Sequence, residues 1–201
     1  DLTQEQIDDA ITASWVFVAK AKFVAKQKRE MEIAKGRIVT HGYKEVLGIH
    51  CWNVFAPTMK RDSTARFWSA FAVASENGKQ TGNPAYLIVV DQINAFMSCE
   101  NLEGATKIII LPPNKYLPET CNFNLDEDRD ECVFLMPNAA YGFKESPRAC
   151  HTKNEFTLLS NPKLRISRHP IDDVIYVLDP EEEGQCGLIM KQVDDFIMFT
   201  N

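Results

Sequence analysis

Two adjacent acids interrupt an apolar stretch near the end of the chain, and they constrain the fold more than any other feature. Asp194 and Asp195 stand between residues 187–190 and 196–199, which have strand-like composition. Two such runs around a short polar turn predict a β-hairpin with the acids at its tip. Neighbouring carboxylates repel each other unless a cation lies between their oxygens. The pattern therefore favours a hairpin whose turn binds cations.

A third acid follows another apolar run. Asp91 comes directly after residues 86–90, which are Tyr-Leu-Ile-Val-Val. Because these residues are apolar at successive positions, we expect a strand that is buried on both faces. Two strand ends that together deliver three carboxylates are suited to hold two divalent metal ions for phosphoryl transfer.

The composition is that of a soluble globular protein. The 201 residues suffice for one large domain or two small lobes, and 45% of them are hydrophobic. No apolar run approaches the ~20 residues that a membrane helix needs, so we expect no membrane partner. The first residue is Asp1, and no signal pattern follows it, which indicates a fragment or a processed piece.

The six cysteines form no C-x-x-C pair and no zinc-like spacing with histidine. Reduced thiols and an intracellular location are therefore expected, either in the cytoplasm or within an intracellular particle, with an organelle also open. The four histidines, at positions 41, 50, 151 and 169, have no ligand-like spacing either. They are interpreted as ordinary polar residues.

The charge is unevenly distributed. A net charge of −6 is unusual for a protein that binds nucleic acid, since phosphate contacts call for a basic surface. However, eight basic residues fall between Lys20 and Lys44, against two glutamates. The acidic runs at 126–131 and 181–183 are interpreted as solvated loops. The sequence thus allows one basic lobe on an acidic chain.

Local patterns predict a mixture of helices and strands. A capping box at residues 3–6 indicates a short helix. Apolar spacing predicts a helix over 62–77, capped by Asp62 or Ser63 and ended by Gly78. Residues 19–35 are ambiguous, because their composition favours helix and the residues that follow favour strand. The other predicted elements are strands at 15–18, 106–111, 132–136, 171–178 and 185–200 and a helix at 146–159.

Five short motifs occur along the chain in an order that is typical of one protein family. They are KGRIVTHGY at 35–43, FAP at 55–57, DQINAF at 91–96, YGFKESPRA at 141–149 and QVDD at 192–195. In order and spacing they resemble the reverse transcriptase of copia-type LTR retrotransposons, which typically reads KARLVAKG, FAPV, DVKNAFL, YGLKQAPRAW and YVDD. The resemblance covers roughly residues 15–201. One motif alone is weak, and five in order are specific.

The resemblance implies an α+β right-hand polymerase fold. Its palm would be an antiparallel sheet backed by helices, with a fingers subdomain beside it and the thumb absent. Residues 1–14 would form an N-terminal extension to a reverse-transcriptase-like domain at 15–201. The fingers would span about 15–84 and 106–145, and the palm about 85–105 and 146–201. The resemblance also favours a hairpin for residues 19–35.

The resemblance assigns roles to particular residues. Asp91, Asp194 and Asp195 match the catalytic acids that hold two Mg²⁺ ions, with Mn²⁺ as the alternative. Phe96, Lys35 and Arg37 match positions that contact the incoming nucleotide. Their simpler interpretations are a core aromatic and a solvated basic hairpin. The positions that match template and primer support are Gly142, Lys144, Ser146 and Pro147, although a tight turn and a helix start would explain them too.

Several positions depart from the family pattern. Gln192 replaces the usual Tyr, Cys150 replaces Trp, and the Thr40-His41 pair removes one basic residue. Glu145 replaces Gln, which would put a negative charge near a nucleic-acid backbone. A second doublet, Asp172-Asp173, also precedes an apolar run, and we interpret it as structural.

The sequence is compatible with two functions. The first is an RNA-directed DNA polymerase fragment of a retrotransposon polyprotein, with an RNA template and a DNA primer as partners and two-metal nucleotidyl transfer as mechanism. The second is a decayed or recruited reverse-transcriptase-like domain that is catalytically inactive. Such a domain would serve as a structural or binding subunit beside other proteins.

Overall fold

The computed structural model describes residues 3–24, 29–102, 107–111, 132–179 and 186–201. Within these ranges the fold is α+β, as predicted, with two β-sheets. In chain order the elements are α1 (Gln4–Asp8), β1 (Ile11–Val24), β2 (Arg29–Thr40), α2 (Arg61–Thr81), β3 (Tyr86–Asp91), β4 (Lys107–Leu111), β5 (Cys132–Met136), α3 (Ser146–Ser160), β6 (Ile166–Arg168), β7 (Ile175–Leu178), β8 (Gly187–Gln192) and β9 (Asp195–Thr200).

The chain forms two compact units. The first, here called the hairpin unit, comprises Asp1–Trp52 and Glu100–Ser146. The second, here called the five-strand unit, comprises Asn53–Cys99 and Pro147–Asn201. Residues 53–84, which the resemblance assigned to the fingers, therefore belong with the five-strand sheet. The physical reason is that α2 packs its apolar side on that sheet.

The hairpin unit opens with the predicted capping box. Thr3 N donates to Gln6 Oε1 at 2.9 Å, and Gln6 N donates to Thr3 Oγ1 at 3.3 Å. These reciprocal bonds satisfy amide groups that the first turn of a helix leaves without partners. The short helix α1 is thereby confirmed.

Strands β1 and β2 form a long antiparallel hairpin, with register from Ala13↔Thr40 to Val24↔Arg29. The hairpin interpretation of residues 19–35 is therefore confirmed and the helical one is wrong, with residues 25–28 outside the described ranges. Strand pairing overrides the local helix propensity of the Ala, Lys and Glu residues. The sheet order is β2-β1-β4-β5, with β1 and β4 parallel. Since β1 begins at Ile11, residues 11–14 are part of this sheet and not of a separate extension.

A buried charge cluster holds the hairpin unit together. Lys107 Nζ lies 2.5 Å from Glu45 Oε1 and 3.1 Å from Glu145 Oε1, and all three side chains are almost fully buried. The same ammonium lies 4.7 Å from the centre of the Phe143 ring. Buried charges are tolerated when they are paired in this way. The expectation that Glu145 faces a nucleic-acid backbone is therefore wrong, because its charge points inward to Lys107.

We predict that Lys107→Met lowers the free energy of unfolding by about 3–5 kcal/mol, because two buried carboxylates lose their shared cation. Chemical denaturation measures this loss. The control is Lys79→Met, whose ammonium lies 3.1 Å from Glu76 on an exposed helix surface. That change should cost less than about 1 kcal/mol. Equal losses in the two variants would contradict a stabilising role for the cluster.

The five-strand unit is built on an entirely antiparallel sheet with the order β3-β9-β8-β7-β6. Alternate residues of a strand point to opposite faces, so Met190 and Lys191 of β8 face opposite ways. Helix α2 covers the Met190 face, where Phe67 lies 5.3 Å from Phe199, ring centre to ring centre. Helix α3 covers the other face, where His151 contacts Lys191. The sheet thus lies between two helices.

Helix α2 is longer than predicted, and its ends differ. It runs from Arg61 to Thr81, begins after Lys60 without a side-chain cap bond, and ends at Gly82 with φ +80°. Gly78 lies inside the helix and does not end it. An added Cβ at Gly78 would lie 2.3 Å from the Asn83 carbonyl oxygen, so this glycine permits close packing of the chain that follows.

Strand β3 is not buried on both faces, contrary to the prediction. It is an edge strand of the described sheet, and all six of its residues are exposed. Tyr86 is 61% exposed and Val89 is 70% exposed. A local apolar pattern indicates a strand but carries no information about which strands or helices flank it.

None of the helices in the described ranges combines the length and the apolar composition that crossing a bilayer requires. The longest, α2, carries charged residues along its surface.

Candidate active site

The fold brings the three predicted acids to one end of the five-strand sheet. Asp91 is the last residue of β3 and Asp195 is the first residue of β9, and the two are direct cross-strand partners. Asp194 precedes Asp195 in the turn. Gln92 N donates to Asp194 O at 3.1 Å, which continues the pairing past the strand ends. Residues that are far apart in the sequence therefore share one site.

The β8–β9 turn has an unusual backbone. Gln192 and Asp195 pair with each other, so the turn consists of Val193 and Asp194. Val193 has φ +53°, in the left-handed region that β-branched residues rarely adopt. Such a conformation is usual at this position of a two-residue hairpin turn, but in a β-branched residue it costs about 1–3 kcal/mol and persists only where the surrounding structure enforces it. The turn that carries Asp194 is thus held in a strained geometry by its surroundings.

The site concentrates negative charge. The pKa of the Asp195 carboxyl is raised by partial burial and by the nearby carboxylates of Asp194 and Asp91. In the described part of the chain, no lysine or arginine forms an ion pair with any of the three acids. A bound cation would therefore relieve repulsion that the protein leaves uncompensated.

The donors fit a hard divalent cation, since carboxylate oxygens are the ligands that Mg²⁺ prefers. The three carboxylates do not form a preassembled ligand set around one ion position. Across the ranges that the structure describes, no three His, Cys, Asp or Glu side chains are gathered as a ready ligand set. Because Asp91 and Asp195 are exposed, their carboxylates are able to turn towards an ion without repacking of the core.

Phe96 lies in the same unit as the acids. It begins the 3₁₀ turn Phe96–Ser98, between buried Ala95 and buried Cys99, and is itself half-buried. Its assignment as a nucleotide contact stays a prediction.

Lys35 and Arg37 lie in the hairpin unit, on β2, where they pair with Val18 and Val16 of β1. Both are exposed, and the Arg37 guanidinium lies 5.1 Å from the centre of the Tyr141 ring. Exposed cations on one hairpin are compatible with either of the two interpretations of these residues.

The predicted support residues make structural contacts. Gly142 has φ +102°, and an added Cβ would lie 2.0 Å from the Thr40 carbonyl oxygen. Lys144 Nζ donates to Glu45 O at 2.5 Å. Ser146 Oγ donates to Ala140 O at 2.6 Å. Pro147 occupies the first turn of α3. These contacts explain a tight turn and a helix start without any ligand.

The other predicted structural residues also have protein partners. Asp172 forms an ion pair with Arg66 at 2.9 Å and accepts a hydrogen bond from Val174 N at 3.3 Å. Its interpretation as a structural acid is confirmed. His50 contacts Asp9 at 3.0 Å, and His41 contacts Thr12 at 2.7 Å, in keeping with ordinary polar roles.

Sequence reasoning missed a polar layer between the acidic hairpin and α3. Lys191 is 2% exposed, and its Nζ lies 3.2 Å from His151 Nδ1 and 3.1 Å from His151 O. Burial lowers the pKa of Lys191 to about 8. Burial, together with Lys191, lowers the pKa of His151 to about 4. The sequence feature that could have indicated this layer is Lys191 itself, a lysine inside an otherwise apolar strand.

Two thiols belong to the same layer. Cys99 Sγ donates to Ala95 O at 3.1 Å, and a hydrogen bond from Cys150 lowers the pKa of Cys99 to about 6. Cys150 Sγ lies 3.5 Å from Val193 O, in the strained turn. Asn154 Nδ2 reaches the same carbonyl oxygen at 3.4 Å. Helix α3 thus contacts the acidic turn directly.

Comparisons of this chain with protein-family models, with curated proteins and with solved structures found no match.

We predict that a fall in pH destabilises the protein, partly through the protonation of His151. Its pKa is about 4 in the folded chain and about 6.5 when unfolded, so between these values only the unfolded chain takes up the proton. Stability from this group is full above pH 6.5 and is lost as pH falls towards 4. When the pH is lowered from 7 to 4.5, the free energy of unfolding should fall by about 2–3 kcal/mol less in His151→Gln than in the wild type. Denaturant titrations at both pH values measure it, with His169→Gln as the control that keeps the wild-type loss.

We predict that Asp91→Asn stabilises the protein by about 0.2–1 kcal/mol in the absence of divalent ions, because one of two directly opposed like charges is removed. Chemical denaturation in a chelating buffer measures the gain. Glu76→Gln makes the same change of net charge on α2 and should bring no gain. A destabilised Asp91→Asn variant would show that the opposed carboxylates do not repel each other.

Proposed function

We propose that this chain is the fingers and palm portion of a copia-type reverse transcriptase, an RNA-directed DNA polymerase of a retrotransposon polyprotein. The observation that carries the proposal is the cross-strand pairing of Asp91 with Asp195, with Asp194 in the adjoining turn. The ordered set of five motifs supports it. The antiparallel five-strand sheet between two helices is compatible with a polymerase palm.

In this proposal, Asp91, Asp194 and Asp195 hold two Mg²⁺ ions, or Mn²⁺ in their place. When bound, the ions would supply activation of a primer hydroxyl and neutralisation of charge on the leaving pyrophosphate. The protein's own contribution is positional, which is the main element of catalysis in phosphoryl transfer. The sheet fixes the strand ends, and their exposure at the end of the sheet admits a polymeric substrate.

The remaining roles follow the resemblance. Phe96, five residues after Asp91, would pack against the sugar of the incoming nucleotide. Lys35 and Arg37 would contact its triphosphate, since both are exposed cations on one hairpin. The turn and helix start that contain Gly142, Lys144, Ser146 and Pro147 would support the template and primer by their shape. The partners would be an RNA template and a DNA primer.

A second candidate is a catalytically inactive domain that serves as a subunit of a larger assembly. Strand β3 favours it, because within the described residues it is the exposed apolar edge of its sheet, and such an edge offers backbone groups and apolar side chains to another protein surface. The net charge of −6 and Gln192 in place of an aromatic residue favour it too.

Primer extension separates the two candidates. With a primer annealed to an RNA template and Mg²⁺ or Mn²⁺ present, we expect the protein to add nucleotides. Asp194→Asn should lower the rate by about a thousandfold, which corresponds to the several kcal/mol that metal ions contribute to such a reaction. Asp173→Asn makes the same chemical change in the other acidic doublet and should retain the wild-type rate.

Equally low rates in wild type and Asp194→Asn would refute the polymerase proposal for this chain. They would favour the subunit role, which capture of a partner over β3 would then support.

A further inference from the structure

One amide side chain of α3 joins the two strand ends that carry the acids. Asn154 Nδ2 donates to Gln92 Oε1 at 2.9 Å and to Val193 O at 3.4 Å. Gln92 directly follows Asp91, and Val193 directly precedes Asp194. A single buried group therefore bonds to the neighbour of an acid on each side of the site.

The bonds around this amide form a connected network. Gln92 is fixed from its other end, because its Nε2 donates to Ser98 Oγ at 3.2 Å. The Val193 carbonyl oxygen also lies 3.5 Å from Cys150 Sγ. Cys150 and Asn154 are four residues apart on a helix, so they lie on the same face of α3. This face of α3 therefore binds the β8–β9 turn through the carbonyl group of Val193.

Two forces at the site act against its geometry. Like charges on Asp91, Asp194 and Asp195 push the strand ends apart, because Asp91 and Asp195 are direct cross-strand partners and Asp194 adjoins them. The left-handed conformation of Val193 is intrinsically unfavourable, and its carbonyl direction would change if the residue relaxed. Asn154 is 7% exposed, so its bonds do not compete with solvent.

We infer that Asn154 is a positioning residue of the carboxylate site, which holds together the chain ends that carry Asp91 and Asp194 by tying Gln92 to Val193. In this role Asn154 would contact neither the metal ions nor the substrate. The inference rests on the proposed function, in which these acids hold divalent ions. Groups that orient metal ligands typically change metal affinity about 10- to 100-fold when they are replaced.

The experiment compares Mn²⁺ binding by the wild type, Asn154→Leu and Asp194→Asn in the absence of nucleic acid. Binding is measured as the loss of the electron paramagnetic resonance signal of free Mn²⁺. Asn154→Leu keeps the number and branching of the side-chain heavy atoms and removes the donor. We expect its Kd for Mn²⁺ to rise about 10- to 100-fold. Thr152→Leu places the same side chain on an exposed position of the same helix and should bind as the wild type does. An unchanged Kd in a folded Asn154→Leu protein overturns the inference.

A second readout separates this inference from the proposed function. Gln92 N donates to Asp194 O, so hydrogen exchange of the Gln92 amide reports whether the strand ends stay joined. We expect Asn154→Leu to lose this protection and Thr152→Leu to keep it. If the wild type binds no Mn²⁺, the metal role fails, and the exchange result alone decides whether Asn154 joins the strands. Unchanged protection overturns the inference.

If Asn154→Leu does not fold, Gln92→Leu replaces it in both measurements. This change removes the same hydrogen bond from a half-buried position, where a larger apolar group is better tolerated. It should also raise the Kd for Mn²⁺ and expose the amide at position 92 to exchange. Binding and protection equal to those of the wild type would overturn the inference.

Discussion

The antiparallel pairing of β3 with β9 is the contact on which the candidate site depends. Six residue pairs align the strands, and the last of them places Asp91 opposite Asp195. A shift of register by one residue would turn the acids to opposite faces of the sheet. The other five pairs of the ladder hold the register against the repulsion of the carboxylates. Backbone pairing along the two strands thus maintains an unfavourable arrangement of charge at their end.

The two helices of the five-strand unit contribute to this site in different ways. Helix α2 supplies apolar contacts, with Phe67 and Phe71 against Phe199 of β9. Helix α3 supplies polar contacts, through Cys150 and Asn154 to the turn. The first fixes where the strands lie, and the second fixes the direction of the turn backbone. This division places an apolar core on one side of the sheet and a hydrogen-bonded layer beneath the acids.

Charge in the hairpin unit is organised differently. The Glu45, Lys107 and Glu145 side chains are buried and paired with one another, so they serve the fold and not a ligand. Lys35 and Arg37 remain exposed on β2. A count of acidic and basic residues treats these groups alike, whereas only the exposed ones set the surface potential. The net charge of −6 belongs to the whole chain and does not describe the exposed surface of this unit.

The sequence alone determined the capping box, the α+β class and the hairpin with acids at its turn, and it singled out the three acids that the fold brings to one end of a sheet. Each is a matter of local pattern, or of motif order in the case of the acids. Only the tertiary structure decided that β3 is exposed, that Gly78 lies within a helix, that Glu145 is buried, and that Lys191 and Asn154 underlie the acidic turn. These features depend on which distant segments meet, and neither strand periodicity nor residue type encodes the partner. Burial and hydrogen bonding across the fold therefore had to be seen in three dimensions.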